Sequence, residues 1–404
     1  MIEQRGNAGT VSRREWLTAG GLAAGVALVN EASGQDNPAA NVLDRTTSIR
    51  LTNLTPTSFG AKTLIKLETN HGVTGWGEIS QLQPSVAHPL VKSLFELIKD
   101  ENPTRVEHLW QKMYRAHRDF RGGAFMLHTI AAIDMALWDI AGKLWGVPVY
   151  RLLGGPTRDK IRVYPSPKAT KIGTAGPHPF SGTPADIDRL VGMIKDWRQK
   201  LGPDGAIMFD AHCAVPPPML IQLANMIQPY DVLFIEEPAV PSNIEVFKRL
   251  KQQIRVPIAT GERDRTIYEI LPYLQNGCVD IIQPDCCHTG GITQMRKIAI
   301  LGEAYYTPIA PHCTATEVGV SASFHCTASV PLFLIHEYYP SITPERLVRK
   351  NWTVDAEGNA SLPEGPGLGL EIDEARLAEV ANDPKMKEWK WPGSKAPDGA
   401  VWDY

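Results

Sequence analysis

The second half of the chain repeats one pattern of apolar and polar positions. Between residues 205 and 337, short apolar runs alternate with longer amphipathic stretches, and each apolar run ends at an acidic or imidazole side chain. The end residues are Asp210, Glu236, Glu262, Asp285, His312 and Glu337. A spacing of one strand plus one helix is typical of a (β/α)₈ barrel, which uses roughly 250 residues for eight units. The pattern therefore predicts a barrel.

The place of these polar residues within each unit indicates a functional face. They follow the predicted strands, and the carboxyl ends of barrel strands form the face on which barrel enzymes carry their active sites. The alternative is that some of the 44 acidic residues follow strands without any function. A polar end residue in each successive unit favours the functional interpretation.

The region before this repeat predicts a separate α+β unit, residues 44–153. Alternating runs at 49–54, 63–68 and 73–79 indicate strands, and an Asn-His-Gly turn precedes the last of them. Helices are predicted at 89–98, 106–116 and 127–144. The third of these is apolar on most sides, so we expect it to be buried.

One part of the expected barrel is irregular. Residues 161–165 predict the first strand, and residues 184–201 predict an amphipathic helix. Residues 166–183 would have to supply a helix and the second strand, but their Pro and Gly content disfavours a helix. We therefore expect the second strand near Lys171 and a first barrel helix that is missing or remodelled.

Composition and charge exclude several classes of protein. The 404 residues are 43% hydrophobic and 21% charged, which is typical of a soluble globular protein. A net charge of −3 provides no basic surface to attract nucleic acid. The six cysteines show no paired metal-ligand spacing, and we expect buried apolar roles for them.

Residues 1–35 are predicted to be a targeting segment. Arg13 and Arg14 precede a Gly- and Ala-rich apolar run, a pattern typical of twin-arginine signals that export folded proteins from bacteria. The run is too short to span a bilayer of roughly 30 Å. We therefore expect a bacterial periplasmic protein without membrane association after export. The alternative is a disordered leader without a targeting role.

Several motifs together resemble a known family across nearly all of the mature chain. They are GVTGWGE (72–78), the helix end at 136–155, FIEEP (234–238), IATGE (258–262), DIIQPD followed by HTGGIT (280–293) and GPGLG (365–369). In this order they resemble the enolase superfamily, and most closely its mandelate racemase/muconate lactonizing group. The resemblance implies an N-terminal α+β capping domain at 44–153, a modified (β/α)₇β barrel at 155–345, and a C-terminal segment at 346–404 that returns to the cap. Members of the family are commonly homo-oligomers.

Three of the strand-end residues are predicted to bind a metal ion. Asp210, Glu236 and Glu262 follow consecutive strands, and carboxylate oxygens suit Mg²⁺. The resemblance places the Mg²⁺ ligands of the family at these positions. The strand alternation leaves Glu237 in a supporting role on the other face. The alternative is that these carboxylates cap the following helices.

A histidine and two acids are predicted to act on the substrate. His312 and Asp285 end neighbouring strands, so they can pair, and a carboxylate on one imidazole nitrogen leaves the other free to accept a proton. The family has a His–Asp dyad here, and Glu337 matches its last-strand Glu, which contacts the substrate carboxylate or enediolate. The neighbouring His336 is predicted to be structural.

His212 and Lys171 are the remaining candidates. His212 lies two residues after Asp210, so period-two alternation predicts that both side chains share a face. This Asp-x-His pattern resembles the sugar-acid dehydratases of the family and implies proton donation to a departing hydroxide; the alternative is a helix-capping or supporting histidine. Lys168 and Lys171 lack the spacing of the racemase lysine pair, so Lys171 is only a secondary candidate for a base.

The resemblance implies a Mg²⁺-dependent dehydratase of a small-molecule sugar acid, a hexonate such as galactonate. Asp285 favours the galactonate type, whereas residues 312–316 depart from its pattern, so the stereochemistry stays open. One alternative is a racemase or epimerase that keeps the same groups. Another is a non-catalytic sugar-acid-binding relic, which the shortened 166–183 region suggests.

Overall fold

The computed structural model describes residues 47–174, 182–241, 243–340 and 342–387. The predicted targeting segment, residues 1–35, lies outside these ranges. Its role therefore stays a prediction.

The N-terminal region is a three-stranded antiparallel sheet followed by helices. The strands are β1 (Leu51–Phe59), β2 (Lys62–Thr69) and β3 (Thr74–Ser80), in the order β1-β2-β3. The helices are α1 (Pro84–Glu96), α2 (Val106–Ala116), α3 (Ala124–Trp145) and α4 (Val149–Leu152). The predicted start of α1 at Pro89 is wrong, because Pro84 already occupies the first helical turn, where its missing N–H costs nothing.

Helix α3 packs directly on strand β3. A Cβ atom at Gly77 would lie 1.9 Å from the carbonyl oxygen of Ala132, and one at Gly75 would lie 2.1 Å from that of Ala136. Glycine is therefore required at both positions for this close approach. By length and composition α3 could cross a membrane, but 83% of its most apolar stretch is buried, as in a core helix.

Residues 160–337 form the barrel. Its strands are β4 (Lys160–Tyr164), β5 (Ala169–Gly173), β6 (Ala206–Asp210), β7 (Phe234–Glu236), β8 (Ile258–Thr260), β9 (Ile281–Ile282) and β10 (His336–Glu337). Its helices are α5 (Pro184–Leu201), α6 (Pro217–Ile227), α7 (Ile244–Gln253), α8 (Ile267–Gln275), α9 (Ile292–Ala304) and α10 (Glu317–Ala328). Helix α5 has the predicted bounds, and the Thr183 and Asp186 side chains form a capping box at its start.

The barrel strands run parallel and enclose an apolar layer. Strands β5 to β9 pair in sequence order, and single bridges at Ile309 continue the ladder from Ile282 to Phe333. Met208 and Phe234 belong to an apolar cluster inside the barrel. Because side chains alternate along a strand, the next inward positions on these two strands are Asp210 and Glu236. The alternation thus places acids directly above the apolar layer.

The first barrel unit has no helix, as the sequence predicts. Only residues 165–168 separate β4 from β5, whereas a helical crossover between parallel strands needs a dozen or more residues. In the described chain, β4 pairs in parallel with β10 and antiparallel with β12 (Asn359–Ser361). The β4–β5 connection itself contains one isolated bridge, between Ser166 and Ala169.

The C-terminal segment contacts the cap. It contains β11 (Val348–Lys350), β12, β13 (Leu370–Ile372), α11 (Glu374–Asn382) and α12 (Pro384–Lys387). The N–H of Leu368 donates to Asp139 on α3 at 2.9 Å, and the N–H of Gly60 donates to the carbonyl of Met386 at 2.7 Å. These bonds join the C-terminal segment to the cap, the first at α3 and the second at the turn between β1 and β2.

The substitution Gly77→Ala tests the contact between β3 and α3. We expect the free energy of unfolding to fall by about 3 kcal/mol, because the new methyl group overlaps backbone atoms that cannot move aside. Urea denaturation measures this change. The matched control is Gly192→Ala in α5, where nothing lies within 4 Å of the added Cβ. Alanine there should stabilise the helix by up to about 1 kcal/mol. Wild-type stability of Gly77→Ala would contradict the close approach.

Candidate active site

Three acids lie at neighbouring strand ends of the barrel. Asp210 ends β6 and Glu236 ends β7, and the two residues are direct partners in the parallel ladder. Glu262 follows β8 by two residues. Asp210 and Glu236 are buried, and the Glu262 side chain is 12% exposed. The structure therefore brings the three predicted metal ligands to one edge of the barrel.

The negative charges of these three acids repel one another. Burial, followed by repulsion from Glu236, raises the pKa of Asp210 to about 7. Burial also raises the pKa of Glu262 well above its usual value, with further contributions from Glu237 and Glu236. Such a cluster favours a cation that neutralises it.

The donor set fits the Mg²⁺ that the family resemblance implies. Carboxylate oxygens are the ligands that Mg²⁺ prefers, and Glu236 Oε2 is buried without a hydrogen-bond partner among the described residues. Potential ligand atoms of Asp285, His288 and His312 also lie within 4.8 Å of one another. Asp285 and His312 already hydrogen-bond to each other, so the carboxylate set is the better candidate.

Lys171 enters the same cluster. Its Nζ atom lies 2.8 Å from Glu236 Oε1, 2.7 Å from Glu337 Oε1 and 3.4 Å from Asp210 Oδ2. Sequence reasoning considered Lys171 only as a base and missed these ion pairs. The available signal was the alternation along β5, where Lys171 shares the inward face with Ala169.

His312 and Asp285 form the expected pair. His312 Nδ1 lies 2.7 Å from Asp285 Oδ2, and Asp285 Oδ1 accepts a bond from the N–H of Cys287 at 2.6 Å. Burial alone would raise the pKa of Asp285, but its contacts with His288 and His312 hold it well below its usual value. The Asp285 carboxylate is therefore ionised and holds the imidazole in place.

The other nitrogen of His312 faces the acid cluster. Nε2 lies 3.8 Å from Glu262 Oε2 and 3.6 Å from Glu337 Oε2. Burial would lower the pKa of His312, but these two carboxylates and the bond to Asp285 raise it well above its usual value. The carboxylates therefore make the neutral ring a strong proton acceptor.

Glu337 and His336 point to opposite sides of β10. Glu337 Oε2 accepts a bond from the N–H of Cys313 at 3.0 Å, and its Oε1 atom pairs with Lys171. His336 Nε2 lies 2.6 Å from Ser323 Oγ on α10. Glu337 thus lies in the candidate site, and His336 packs in the structural role that the alternation predicts.

His212 reaches the site by a different route from the predicted one. Strand β6 ends at Asp210, and His212 has a left-handed backbone with φ +47, so the period-two argument is wrong for this residue. The His212 N–H instead donates to Asp210 Oδ1 at 2.9 Å. Burial lowers the pKa of the ring to about 4, with smaller contributions from Arg263 and Lys171. The bond to Asp210 holds the backbone of His212 at the edge of the acid cluster.

Glu237 joins three strand ends behind the site. Its carboxylate lies 2.7 Å from Arg263 Nε and accepts bonds from Thr260 Oγ1 at 3.1 Å and Cys213 Sγ at 3.3 Å. These contacts fit the predicted supporting role, but β7 ends at Glu236 and Glu237 has a left-handed backbone with φ +47, so strand alternation does not account for its position. Sequence reasoning missed Arg263, since nothing in its local pattern distinguishes it from a surface arginine.

Comparison with known families agrees with this architecture. Residues 160–376 match the family model described as enolase C-terminal domain-like. Residues 42–154 match the N-terminal domain of mandelate racemase/muconate lactonizing enzyme. The chain therefore belongs to the enolase superfamily, with a capping domain and a (β/α)₇β barrel. Within that superfamily it carries the mandelate racemase/muconate lactonizing type of cap.

Individual relatives cover most of the chain. It is 35% identical over 366 residues to a D-galactonate dehydratase of Ralstonia pickettii, covering 83% of this chain and 95% of the relative. A D-galactonate dehydratase of Pectobacterium atrosepticum is 33% identical with the same coverage. An enolase from Agrobacterium radiobacter, solved with Na and L-malate, has a TM-score of 0.79 and 30% identity over 87% of this chain and 99% of that chain. The 3,6-anhydro-D-galactonate cycloisomerase of Zobellia galactanivorans has a TM-score of 0.75 and 28% identity over 82% of this chain and 99% of that chain.

The substitution Lys171→Met tests the charge balance of the cluster. We expect the affinity for Mg²⁺ or Mn²⁺ to rise by at least about tenfold, because a positive charge a few ångström away repels a divalent cation by several kcal/mol. Isothermal titration measures the affinity without any substrate. The control is Lys168→Met, since Lys168 is exposed and pairs with Glu357 at 3.1 Å. An unchanged or weaker affinity in Lys171→Met would contradict the expected repulsion.

Proposed function

We propose that this chain is a Mg²⁺-dependent dehydratase of a sugar acid, a hexonate such as galactonate. The observation that carries the proposal is the 2.7 Å bond between His312 Nδ1 and Asp285, which leaves Nε2 beside the acid cluster. A base held in this way is suited to removing a proton next to a carboxylate. The D-galactonate dehydratases among the relatives support the hydro-lyase class.

The first chemical step is loss of the C2 proton to His312. Asp285 accepts the Nδ1–H of the ring, so the lone pair of the neutral imidazole lies on Nε2. Negative charge then develops on the substrate carboxylate. Asp210, Glu236 and Glu262 would hold Mg²⁺, which when bound supplies several kcal/mol of stabilisation to that charge. The protonated form of Glu337 would donate a hydrogen bond to the same oxygens, because an ionised carboxylate can only accept one.

The second step is departure of the C3 hydroxyl as water. We assign its protonation to His212, whose pKa is lowered mainly by burial and further by the positive charges of Arg263 and Lys171. Both cations lower the His212 pKa, and a substrate carboxylate beside Lys171 would offset part of that effect and favour the protonated ring. Loss of water leaves an enol, which tautomerises to a 2-keto-3-deoxy acid.

The inward position of Lys171 supports a second candidate, an epimerase. Its Nζ atom lies within 3.4 Å of three acids of the site, where it could return a proton to C2 from another direction. A sugar-acid-binding relic is the third outcome. The shortened connection at 165–168 supports it, and the retained acid cluster opposes it, because buried charges without a function are costly.

A panel of hexonates with Mg²⁺ separates these three outcomes. We expect the wild-type protein to form a semicarbazide-reactive keto acid from at least one hexonate. Exchange of the C2 proton for deuterium without a keto product would instead identify an epimerase. Binding of Mg²⁺ and a hexonate without exchange or product would identify a relic. Each outcome is read by NMR and colorimetry on the same samples.

The substitution His312→Asn tests the assigned base. We expect exchange of the C2 proton to disappear, because the amide cannot accept it. Asp285→Asn should lower kcat by about 10²- to 10⁴-fold, since the wrong tautomer of His312 is then held. The control His71→Asn changes an exposed residue in the β2–β3 turn and should retain wild-type rates. Wild-type exchange in His312→Asn would refute the assignment.

We also propose that residues 1–35 direct export of the folded protein to the periplasm. The described cysteines are all free thiols, and five of them are buried, as suits folding in a reducing compartment before export. Replacing Arg13 and Arg14 by lysines should retain the precursor in the cytoplasm, as measured by cell fractionation. Periplasmic delivery of the double-lysine variant would contradict the twin-arginine assignment.

A further inference from the structure

Two buried histidines, one from each domain, stack on each other beside the dyad. The rings of His128 on α3 and His288 after β9 have centroids 4.3 Å apart and an interplanar angle of 5°. The His288 ring is in turn 5.7 Å from the ring of His312. His128 and His288 are 8% and 5% exposed, respectively. The proposed chemistry assigns neither residue a role.

The hydrogen bonds of the two rings fix their tautomers. His128 Nδ1 lies 3.0 Å from the carbonyl oxygen of Ser80, and His288 Nδ1 lies 3.0 Å from that of Glu262. A carbonyl oxygen only accepts, so each Nδ1 must carry hydrogen. A neutral imidazole has one N–H, and two parallel rings at this separation do not both carry charge. In the neutral form of both rings, which their burial favours, each Nε2 is a hydrogen-bond acceptor.

Both acceptors are buried without a partner. His128 Nε2 and His288 Nε2 have no hydrogen bond to any described residue. Burial, followed by the neighbouring His288, lowers the pKa of His128 to about 3, which agrees with a neutral ring. A buried acceptor without a donor costs about 1–3 kcal/mol, so this pair calls for a ligand that brings donors.

The surroundings of His128 contact the loop that follows the dyad histidine. Ser80, which accepts the His128 bond, is followed by Gln81, whose Nε2 donates to Thr314 Oγ1 at 3.3 Å. Thr314 lies two residues after His312. The cap therefore approaches the base from the side on which His128 and His288 stack.

We propose that His128 and His288 form a subsite that accepts hydrogen bonds from the hydroxyl groups of the sugar acid beyond C3. The inference rests on the proposed function, because a substrate whose C2 lies at His312 extends its remaining carbons and hydroxyls by several ångström. Hydroxyls are donors, and neutral Nε2 atoms can only accept from them. A site built in this way discriminates against analogues that lack the hydroxyl, because its acceptors are then left unpaired.

Ligand discrimination in a non-reacting protein tests the subsite. The probes are D-galactonate and its 5-deoxy and 6-deoxy analogues, titrated calorimetrically with Mg²⁺ into His312→Asn protein. We expect at least one deoxy analogue to bind about tenfold more weakly than galactonate. Adding His128→Phe keeps a flat ring of similar size but removes the acceptor, and should bring this ratio close to one. Adding His128→Gln keeps an acceptor oxygen and should preserve part of the ratio.

The matched control is Trp110→Phe in the same background. Trp110 Nε1 donates to the carbonyl of Gly290 at 2.7 Å, so this variant loosens the same loop from the cap but leaves both imidazoles in place. It should retain the galactonate preference. The same loss of preference in Trp110→Phe and His128→Phe would assign the effect to loop position and overturn the subsite.

The remaining outcomes separate the subsite from the proposed function. If the preference for galactonate over its deoxy analogues depends on His128 but the wild-type protein dehydrates no hexonate, the subsite is retained and the dehydratase is rejected. If the wild-type protein dehydrates a hexonate but His128→Phe leaves the affinity ratio unchanged, the dehydratase is retained and the subsite is rejected. Water alone would then satisfy the two Nε2 atoms. If His128→Phe does not fold, the His128→Gln ratio decides: a reduced ratio supports the subsite, and an unchanged ratio overturns it. Absence of binding by all three probes overturns the subsite for hexonates of the galactonate configuration.

Discussion

The structure depends on a concentration of buried negative charge at one end of the barrel. Asp210, Glu236, Glu262 and Glu337 lie together there, and burial of several carboxylates is stable only if cations balance them. Lys171 supplies one such charge through contacts with three of these acids. The same repulsion that makes the cluster costly gives it affinity for a divalent cation and for the proton that His312 takes up. Stability and chemistry at this site therefore have one electrostatic origin.

The cap stabilises the barrel end through the loops that carry the dyad. Glu78, at the end of the GWGE motif, accepts bonds from the N–H and the hydroxyl of Thr316 at the start of α10. Asp134 on α3 accepts bonds from Thr293 at the start of α9. Cap carboxylates thus lie at the N-termini of two barrel helices, where the exposed N–H groups favour negative charge. The loops after Asp285 and before α10 are held from outside the barrel, so the cap contributes to the geometry of the base.

The shortened first unit shows how much irregularity this barrel accommodates. Only residues 165–168 lie between β4 and β5, so this connection contains no helix, and β12 from the C-terminal segment pairs with β4. Strand β5 still pairs with β6 over its full length, from Ala169 to Gly173. The pairing of β5 with β6 therefore positions Lys171 in the site. The connection between β4 and β5 lacks a helix, but the inward-facing residues of β5 still face the site.

The sequence by itself determined the barrel, the cap, the three acids at consecutive strand ends and the pairing of Asp285 with His312. These follow from local periodicity and from motifs, because parallel strands bring their carboxyl ends to one edge. Only the tertiary structure decided what depends on contacts between distant segments. It placed Lys171 among the acids, brought His212 to the site through a left-handed turn, and stacked His128 on His288. Strand alternation could assign Lys171 to the inward face of β5, but the contacts themselves do not follow from alternation or motif spacing, because each depends on how separate elements pack in space.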